Sequence, residues 1–172
     1  MTPRPPRRGD LRITAGGAWM DGRRLPCVVG RAGIGAKRGE GDGVTPVGVW
    51  RLDAARWRAD RRPTPRTILP LRPIGAAHGW SDDPRDPLYN APCPWPHAFS
   101  AERMRRRDRL YDLVAQTDFN RSPIRPGAGS AIFLHVWKGR GRPTEGCVAF
   151  AAADLAWILA RWRAWRRVVI QP

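Results

Sequence analysis

Two residues in the last third of the chain, His135 and Cys147, have the side chains that nucleophilic catalysis requires. A histidine close to a thiol can take up its proton, which leaves a thiolate able to attack a carbonyl carbon. Gly146 permits close backbone approach beside the thiol, where backbone N–H groups can hold an oxyanion. Spacing alone does not distinguish this pair from two unrelated residues, because a lone histidine or cysteine on an apolar strand is usually structural.

The segment 131–136, Ala-Ile-Phe-Leu-His-Val, predicts a buried strand with His135 near its end. A strand–loop–strand hairpin from this strand to Cys147 would bring the imidazole and the thiol together. The loop between them adds three positive charges within 138–142, and these favour the thiolate. The sequence therefore predicts that both side chains face one site.

A helix is predicted from Ala151 to Arg167, because large apolar residues recur there at helical spacing. Those residues are Leu155, Ile158, Leu159, Trp162 and Trp165. Cys147 lies shortly before the predicted start, where the positive end of the helix dipole would also favour a thiolate. A closing strand is predicted at 168–170.

The rest of the chain is predicted to form short strands and turns, since eighteen glycines and eighteen prolines suit a β-rich fold better than a helical bundle. Predicted strands lie at 11–14, 19–20, 27–29, 49–52 and 67–71, and 110–116 is either a helix end or a strand. Residues 30–48 form a predicted glycine-rich loop, and most of 60–100 is predicted to be loop as well. The glycine-rich loop does not match a phosphate-binding loop, because Ala36-Lys37-Arg38 stands where Gly-Lys-Ser/Thr is required.

The chain is strongly basic, with 31 Lys plus Arg against 15 Asp plus Glu and a net charge of +16. Such a charge attracts nucleic acid, anionic lipid or an acidic polymer. The arginines are scattered rather than gathered on one recognition helix, so we interpret them as ordinary surface residues and do not expect a nucleic-acid partner. The densest run, 103–109, is predicted to be a solvated helical face with ion pairs.

The cysteines Cys27, Cys93 and Cys147 stand far apart, and their odd number leaves at least one free thiol. Cys93 and His97 do not form a zinc motif, because the two prolines between them prevent a helix that would present both side chains. The sequence therefore predicts neither a metal nor a cofactor.

Residues 1–10 are basic but lack the apolar stretch of a signal peptide, and we expect them to form a disordered tail. Residues 11–172 contain neither an internal repeat nor a linker, which predicts a single domain. No apolar run is long enough to span a membrane. The sequence does not indicate an oligomeric state.

The segment His135–Cys147 resembles the active-site stretch of the L,D-transpeptidase catalytic domain (the YkuD-like family), in which a histidine precedes a Thr/Ser-x-Gly-Cys element. The resemblance extends over nearly the whole chain and in the family's order. The other similar segments are Gly43–Gly48, Gly79–Pro84, Pro87–Asn90, Leu110–Asp112 with Asn120, and Gly129–His135. It implies a mainly β domain whose two sheets form a sandwich or barrel, with a C-terminal amphipathic helix.

The resemblance also implies a reaction. Cys147 would form a thioester with a peptidoglycan stem tetrapeptide, and backbone N–H groups around Gly146 would hold the oxyanion. His135, oriented by a backbone carbonyl, would protonate the departing D-alanine. Transfer to an amine makes a cross-link and transfer to water makes a carboxypeptidase. Such an enzyme belongs in the periplasm or cell envelope. Because no signal peptide is visible, a cytoplasmic enzyme acting on wall precursors or recycled wall peptides stays open as an alternative.

Candidate substrate-binding residues are His78, Trp80, Asp83, Tyr89, Asn90, Arg140, Arg142, Thr144 and Glu145. Each has a structural alternative: a loop histidine bonded to backbone, a turn held by aspartates, or exposed charge in the loop before Cys147. Glu145 stands where many family members have a second histidine. Two further functions stay open, a cysteine peptidase acting on a related peptide and a non-enzymatic basic binder of nucleic acid or an anionic wall polymer.

Overall fold

Short strands separated by turns make up most of the molecule, and the computed structural model describes residues 5–172. The strands are β1 (Leu11–Thr14), β2 (Gly17–Met20), β3 (Arg23–Leu25), β4 (Cys27–Val28), β5 (Ile34–Gly35), β6 (Thr45–Pro46), β7 (Gly48–Trp50), β8 (Leu52–Trp57), β9 (Leu71–Pro73), β10 (His78–Ser81), β11 (Pro92–Pro94), β12 (Ala101–Arg103), β13 (Leu113–Thr117), β14 (Phe133–Val136), β15 (Val148–Phe150) and β16 (Val168–Ile170). The helix α1 (Ala152–Arg161) lies between β15 and β16. The predicted mainly β fold with a C-terminal helix is confirmed.

Two large sheets carry the fold, with strand orders β3-β2-β1-β16-β7 and β4-β15-β14-β13-β8-β9. Two smaller sheets, β11-β10-β12 and β5-β6, accompany them. In the six-stranded sheet, β14 pairs antiparallel with β13 and parallel with β15. The first and last strands lie side by side in the five-stranded sheet, because β1 pairs parallel with β16.

The two faces of the six-stranded sheet have different neighbours, because successive strand residues point to opposite faces. Leu134 of β14 packs in the main core with residues of β1, β16 and α1. Phe133 packs in a second cluster with Trp80 and Tyr111. His135 lies on this second face as well, and its ring centroid is 5.5 Å from that of Tyr111. The second face therefore carries the candidate chemistry.

The helix α1 ends at Arg161, so the predicted end at Arg167 is wrong. The backbone of Trp162 is extended, with φ −60° and ψ 143°. Trp162 is 1% exposed whereas Trp165 is 61% exposed, so the apolar stripe ends before Trp165. The chain leaves the helix there because β16 must run beside β1. No helix within the described residues is long and apolar enough to cross a membrane.

The segments predicted to be loops contain more strand pairing than expected. Residues 30–48 include the short parallel pair β5 and β6. Residues 60–100 include β9, β10 and β11, and the strand predicted at 67–71 lies instead at Leu71–Pro73, parallel to β8. Pairing with distant strands stabilises these segments, and local sequence patterns do not reveal such pairing.

The arginine-rich run 103–109 begins with the last residue of β12 and continues as irregular backbone with bends, so the predicted helical face is wrong. Its ion pairs are present: Arg106 lies 3.6 Å from Glu102 and 2.7 Å from Asp108. Met104 explains the difference, because it is 1% exposed and anchors the run in the second cluster.

The first described residues are held against the C-terminal segment. The Asp10 carboxylate accepts a hydrogen bond from the Arg7 N–H at 2.7 Å and another from Arg167 at 2.6 Å. These contacts order part of the predicted disordered tail, since they include residues 7–10. Met1–Arg4, which belong to the same predicted tail, lie outside the described residues.

Candidate active site

Cys147 leads into β15, which lies parallel to the strand β14 that carries His135, so the predicted hairpin is wrong. In the register of β14 and β15, His135 is opposite Ala149. Cys147 immediately precedes β15 and lies beside Phe133, whose N–H approaches its sulfur. Cys147 and Ala149 are two residues apart, so their side chains point to the same face of the sheet as that of His135. The ordinary spacing of sheets places the Cα atoms of Cys147 and His135 about 8 Å apart. Because β14 and β15 are parallel, the chain that leaves the end of β14 must run back to the level of the start of β14 before β15 begins.

The His135 imidazole is oriented by backbone. Its Nδ1 lies 2.8 Å from the Val136 carbonyl oxygen, and a carbonyl only accepts, so Nδ1 carries the proton. The Nε2 lone pair is therefore the one available to take up a proton. Burial lowers the pKa of His135 to about 4, although the hydrogen bond to Val136 opposes this effect. The resting imidazole is consequently neutral and can act as a base.

The Cys147 thiol is held between two backbone groups. It donates to the Ala131 carbonyl at 3.0 Å and accepts from the Phe133 N–H at 3.4 Å. Burial raises the pKa of Cys147 to about 12, and the Phe133 hydrogen bond opposes the rise. The resting pair is thus a neutral thiol and a neutral imidazole, not the thiolate–imidazolium pair that the loop charges were predicted to favour.

The start of α1 does not act on the thiol, and this prediction is wrong. The helix begins at Ala152, and the whole of β15 lies between it and Cys147. Three strand residues span about 10 Å, whereas the effect of the helix dipole falls off within the first turn.

Two threonines fix the backbone around the nucleophile. Thr144 donates to the Cys147 carbonyl at 2.6 Å and accepts from the Gly146 N–H at 3.1 Å. Thr45 donates to the Gly146 carbonyl at 2.9 Å and accepts from the Gly30 N–H at 2.8 Å. Because Thr144 already binds the Gly146 N–H, a substrate oxyanion would have to share or replace that bond. Thr45 was not among the predicted site residues, although its Thr-Pro segment belongs to the family resemblance.

A cavity of about 450 Å³ opens onto both candidate catalytic residues. Six of the predicted site residues line it: His135, Arg142, Thr144, Glu145, Gly146 and Cys147. Side chains that were not on the predicted list also line it, among them Lys37, Asp82, Glu102, Arg106 and Tyr111. Lys37 is one of only two lysines in an arginine-rich chain, but its position in a glycine-rich loop does not indicate that it lines a site.

Three predicted binding residues lie outside the cavity and have internal partners instead. Asn90 is 2% exposed and accepts hydrogen bonds from the Trp80 indole at 3.2 Å and the Ala131 N–H at 3.0 Å. Tyr89 donates to Glu40 and accepts from the Gly129 N–H at 3.0 Å. Trp80, Tyr89 and Asn90 therefore do not line the cavity as predicted; instead, their side chains support the loops around the site.

The remaining predicted residues outside the cavity follow the structural alternatives. His78 accepts the Gly75 N–H at Nδ1, at 3.0 Å. Asp83 accepts hydrogen bonds from the backbone and side chain of Arg85, which makes it the aspartate of a turn. Arg140 is exposed and does not line the cavity.

A thiol beside a backbone-oriented histidine, both opening onto one cavity, is the arrangement used by enzymes that transfer acyl groups through cysteine. Comparison with known families agrees with this class, since the model of the L,D-transpeptidase catalytic domain (YkuD) matches residues 13–170. The chain belongs to this family of enzymes, which act on peptidoglycan peptides, and the resemblance seen in the sequence is confirmed. No curated protein and no solved structure was found to match the chain.

Proposed function

We propose that this protein is a cysteine acyltransferase that forms a thioester between Cys147 and a peptidoglycan stem tetrapeptide. The observation that carries the proposal is that a neutral His135, whose Nε2 lone pair is available, and the Cys147 thiol open onto one cavity. Membership of the family supports the substrate class.

In the first half of the reaction, His135 Nε2 takes the thiol proton while the sulfur attacks the carbonyl carbon of the diamino-acid residue. A C–S bond forms and the carbonyl electrons move to oxygen. The oxyanion returns its electrons, the C–N bond to D-alanine breaks, and the proton held on His135 passes to the departing amine.

In the second half, an amine or a water molecule attacks the thioester and gives its proton to His135. The C–S bond breaks and the proton returns to the sulfur of Cys147. An amine acceptor yields a cross-link, and water yields a shortened stem peptide. A peptidase acting on a related peptide would use the same residues and differ only in the acceptor.

The resting protonation states explain why substrate must take part in activating the thiol. Burial favours the neutral forms of both Cys147 and His135, so transfer of the proton between them is unfavourable in the empty site. General-base catalysis avoids a free thiolate, because the proton leaves as the new bond forms.

The charges that line the cavity suit a peptide with both amine and carboxylate groups. Lys37 and Arg142 supply positive charge, and Asp82, Glu102 and Glu145 supply negative charge. We place the enzyme in the cell envelope, where members of the family typically act.

The test is release of D-alanine from a purified stem tetrapeptide, followed with an amine acceptor present and absent. We expect release by the wild-type protein, none by Cys147→Ala, and release reduced by about two orders of magnitude or more in His135→Ala. Cys27→Ala is the matched control, because Cys27 is a partly buried thiol packed on the main core. Unchanged release in Cys147→Ala would reject the proposal, and an intact stem with retained salt-sensitive polymer binding would favour the basic binder.

A further inference from the structure

Lys37 is a buried cation close to Gly146, the residue before the nucleophile, and the proton transfers proposed above do not involve it. Its side chain is 4% exposed. Its ammonium donates to the Asp42 carboxylate at 2.6 Å and to the Val44 carbonyl at 3.3 Å. A lysine ammonium has three N–H donors, so these contacts use two of them, while the side chain also lines the cavity.

The lysine passes between the two segments that hold the thiol. Gly129 has φ +104° and Gly146 has φ +144°. A Cβ at Gly129 would lie 2.5 Å from the Lys37 Cε, and a Cβ at Gly146 would lie 3.4 Å from its Nζ. Gly146 precedes Cys147, and Gly129 lies two residues before Ala131, whose carbonyl accepts the thiol hydrogen. The two glycines thereby admit the ammonium next to the backbone that presents the sulfur.

Asp42 is the carboxylate partner of this lysine. The carboxylate accepts hydrogen bonds from the Arg38 N–H at 2.8 Å and the Val44 N–H at 2.9 Å, in addition to Lys37. Burial opposes ionisation of Asp42, but the hydrogen bonds from Lys37 and the two backbone groups lower its pKa to about 2. A buried ammonium needs such a partner, since an unpaired buried charge is costly.

We propose that Lys37 is the charge-stabilising residue of the site, whose ammonium stabilises the negative charge that develops on the Cys147 sulfur as its proton moves to His135. The proposal rests on the function proposed above. A positive charge within a few ångströms of a thiolate favours its formation.

The electrostatics of the thiol agree with this role. Burial raises the pKa of the Cys147 thiol, and the Lys37 charge acts in the opposite direction. The other titratable or charged groups facing the cavity are Glu40, Asp82, Glu102, Arg106, Tyr111, His135, Lys138, Arg142 and Glu145. All of these stay in place when Lys37 alone is replaced, so a change in thiol titration reports on the ammonium.

The test measures alkylation of Cys147 by iodoacetamide from about pH 6 to about pH 10, resolved by peptide mass spectrometry. This range lies below the raised pKa of the Cys147 thiol, so the alkylation rate at each pH is proportional to the thiolate fraction. In Lys37→Met, which keeps the length of the side chain and removes its charge, we expect alkylation to be about tenfold slower at each pH. Lys37→Arg should restore most of the rate.

Lys138→Met is the matched control, because Lys138 is the chain's other lysine and also lines the cavity, but is exposed. We expect its alkylation rate to stay at the wild-type value, because solvent screens an exposed charge. A Lys37 that only anchors its loop would lower the melting temperature of Lys37→Met and leave its alkylation rate at the wild-type value. Equal alkylation rates in Lys37→Met and wild type would overturn the proposal. Where Lys37→Met does not fold, Lys37→Gln, which can still donate a hydrogen bond to Asp42 without the charge, takes its place under the same criterion.

The alkylation assay needs no peptide substrate, so the two proposals fail separately. An unchanged alkylation rate in Lys37→Met, together with D-alanine release by the wild type, would remove the role of Lys37 alone. Absence of release by the wild type, together with slower alkylation in Lys37→Met, would remove the proposed function and leave Lys37 only as a group that stabilises the thiolate.

Discussion

Replacement of Asn90 tests whether the buried hydrogen bonds of its side chain stabilise the loops around the site. The side chain accepts from the Trp80 indole and the Ala131 N–H, and donates to the Phe119 and Asn120 carbonyls at 3.1 and 2.9 Å. All four hydrogen-bonding positions of the amide are therefore used, in a residue that is 2% exposed. Ala131 in turn presents the carbonyl that accepts the Cys147 thiol.

The expected cost of Asn90→Ala follows from these contacts. The two buried N–H donors lose their acceptor, at about 1–3 kcal/mol each. Asn90 also has φ +54°, a conformation that costs alanine about 1 kcal/mol more than asparagine or glycine. Together these effects predict a loss of about 3–7 kcal/mol in the free energy of unfolding.

Urea unfolding of Asn90→Ala and Asn90→Gly measures both effects, provided that the slope with urea stays constant. Asn90→Gly keeps the hydrogen-bond loss and removes the backbone strain, so it should be about 1 kcal/mol more stable than Asn90→Ala. A loss below about 1 kcal/mol in Asn90→Gly would refute the reasoning, because it would mean that the buried donors had found other partners.

Three further predictions concern pH, the helix end and the cavity. Since burial lowers the folded pKa of His135 to about 4 from an unfolded value of 6.5, the unfolded state binds more protons between these values. Stability should fall as the pH drops through this window, by up to about 1.4 kcal/mol per unit, and urea titrations of His135→Gln should show a shallower fall. Trp162→Ala should cost about 3–5 kcal/mol and Trp165→Ala less than about 1 kcal/mol by the same method, whereas equal costs would contradict the observed helix end. Arg142→Ala should raise the KM for a stem tetrapeptide severalfold without a matching loss of kcat, and Arg140→Ala, outside the cavity, should leave both unchanged; a KM shift in the Arg140 variant would argue against the mapped cavity.

Local sequence patterns were sufficient for the β-rich class and for the strand that carries His135. An apolar run such as 131–136 predicts a buried strand, and the family motif identifies Cys147 as the candidate nucleophile. The relative direction of β14 and β15 was not predictable in the same way. A connection of eleven residues is compatible with a hairpin or with a return to a parallel strand, and only pairing with distant segments decides between them.

Most of the charged residues that line the cavity were not predictable from the sequence, for a different reason. Lysines in glycine-rich loops are normally exposed, so nothing local to Lys37 indicates burial. Its burial depends on Gly129 and Gly146, which lie about a hundred residues away in sequence. Conversely, Trp80 and Asn90 belong to segments that resemble family motifs, but their side chains form internal hydrogen bonds that fix the backbone at Ala131 and do not line the cavity.

The central claim is that Cys147 is the nucleophile of an acyl-transfer reaction with His135 as its base. Its most direct test is trapping by a carbapenem, a probe that acylates enzymes of this type, with the adduct weighed by intact-mass spectrometry and mapped to a peptide. We predict one adduct on Cys147 in the wild-type protein, none in Cys147→Ala, and slower formation in His135→Ala. A protein that stays unmodified, or an adduct that persists in Cys147→Ala, would contradict the account.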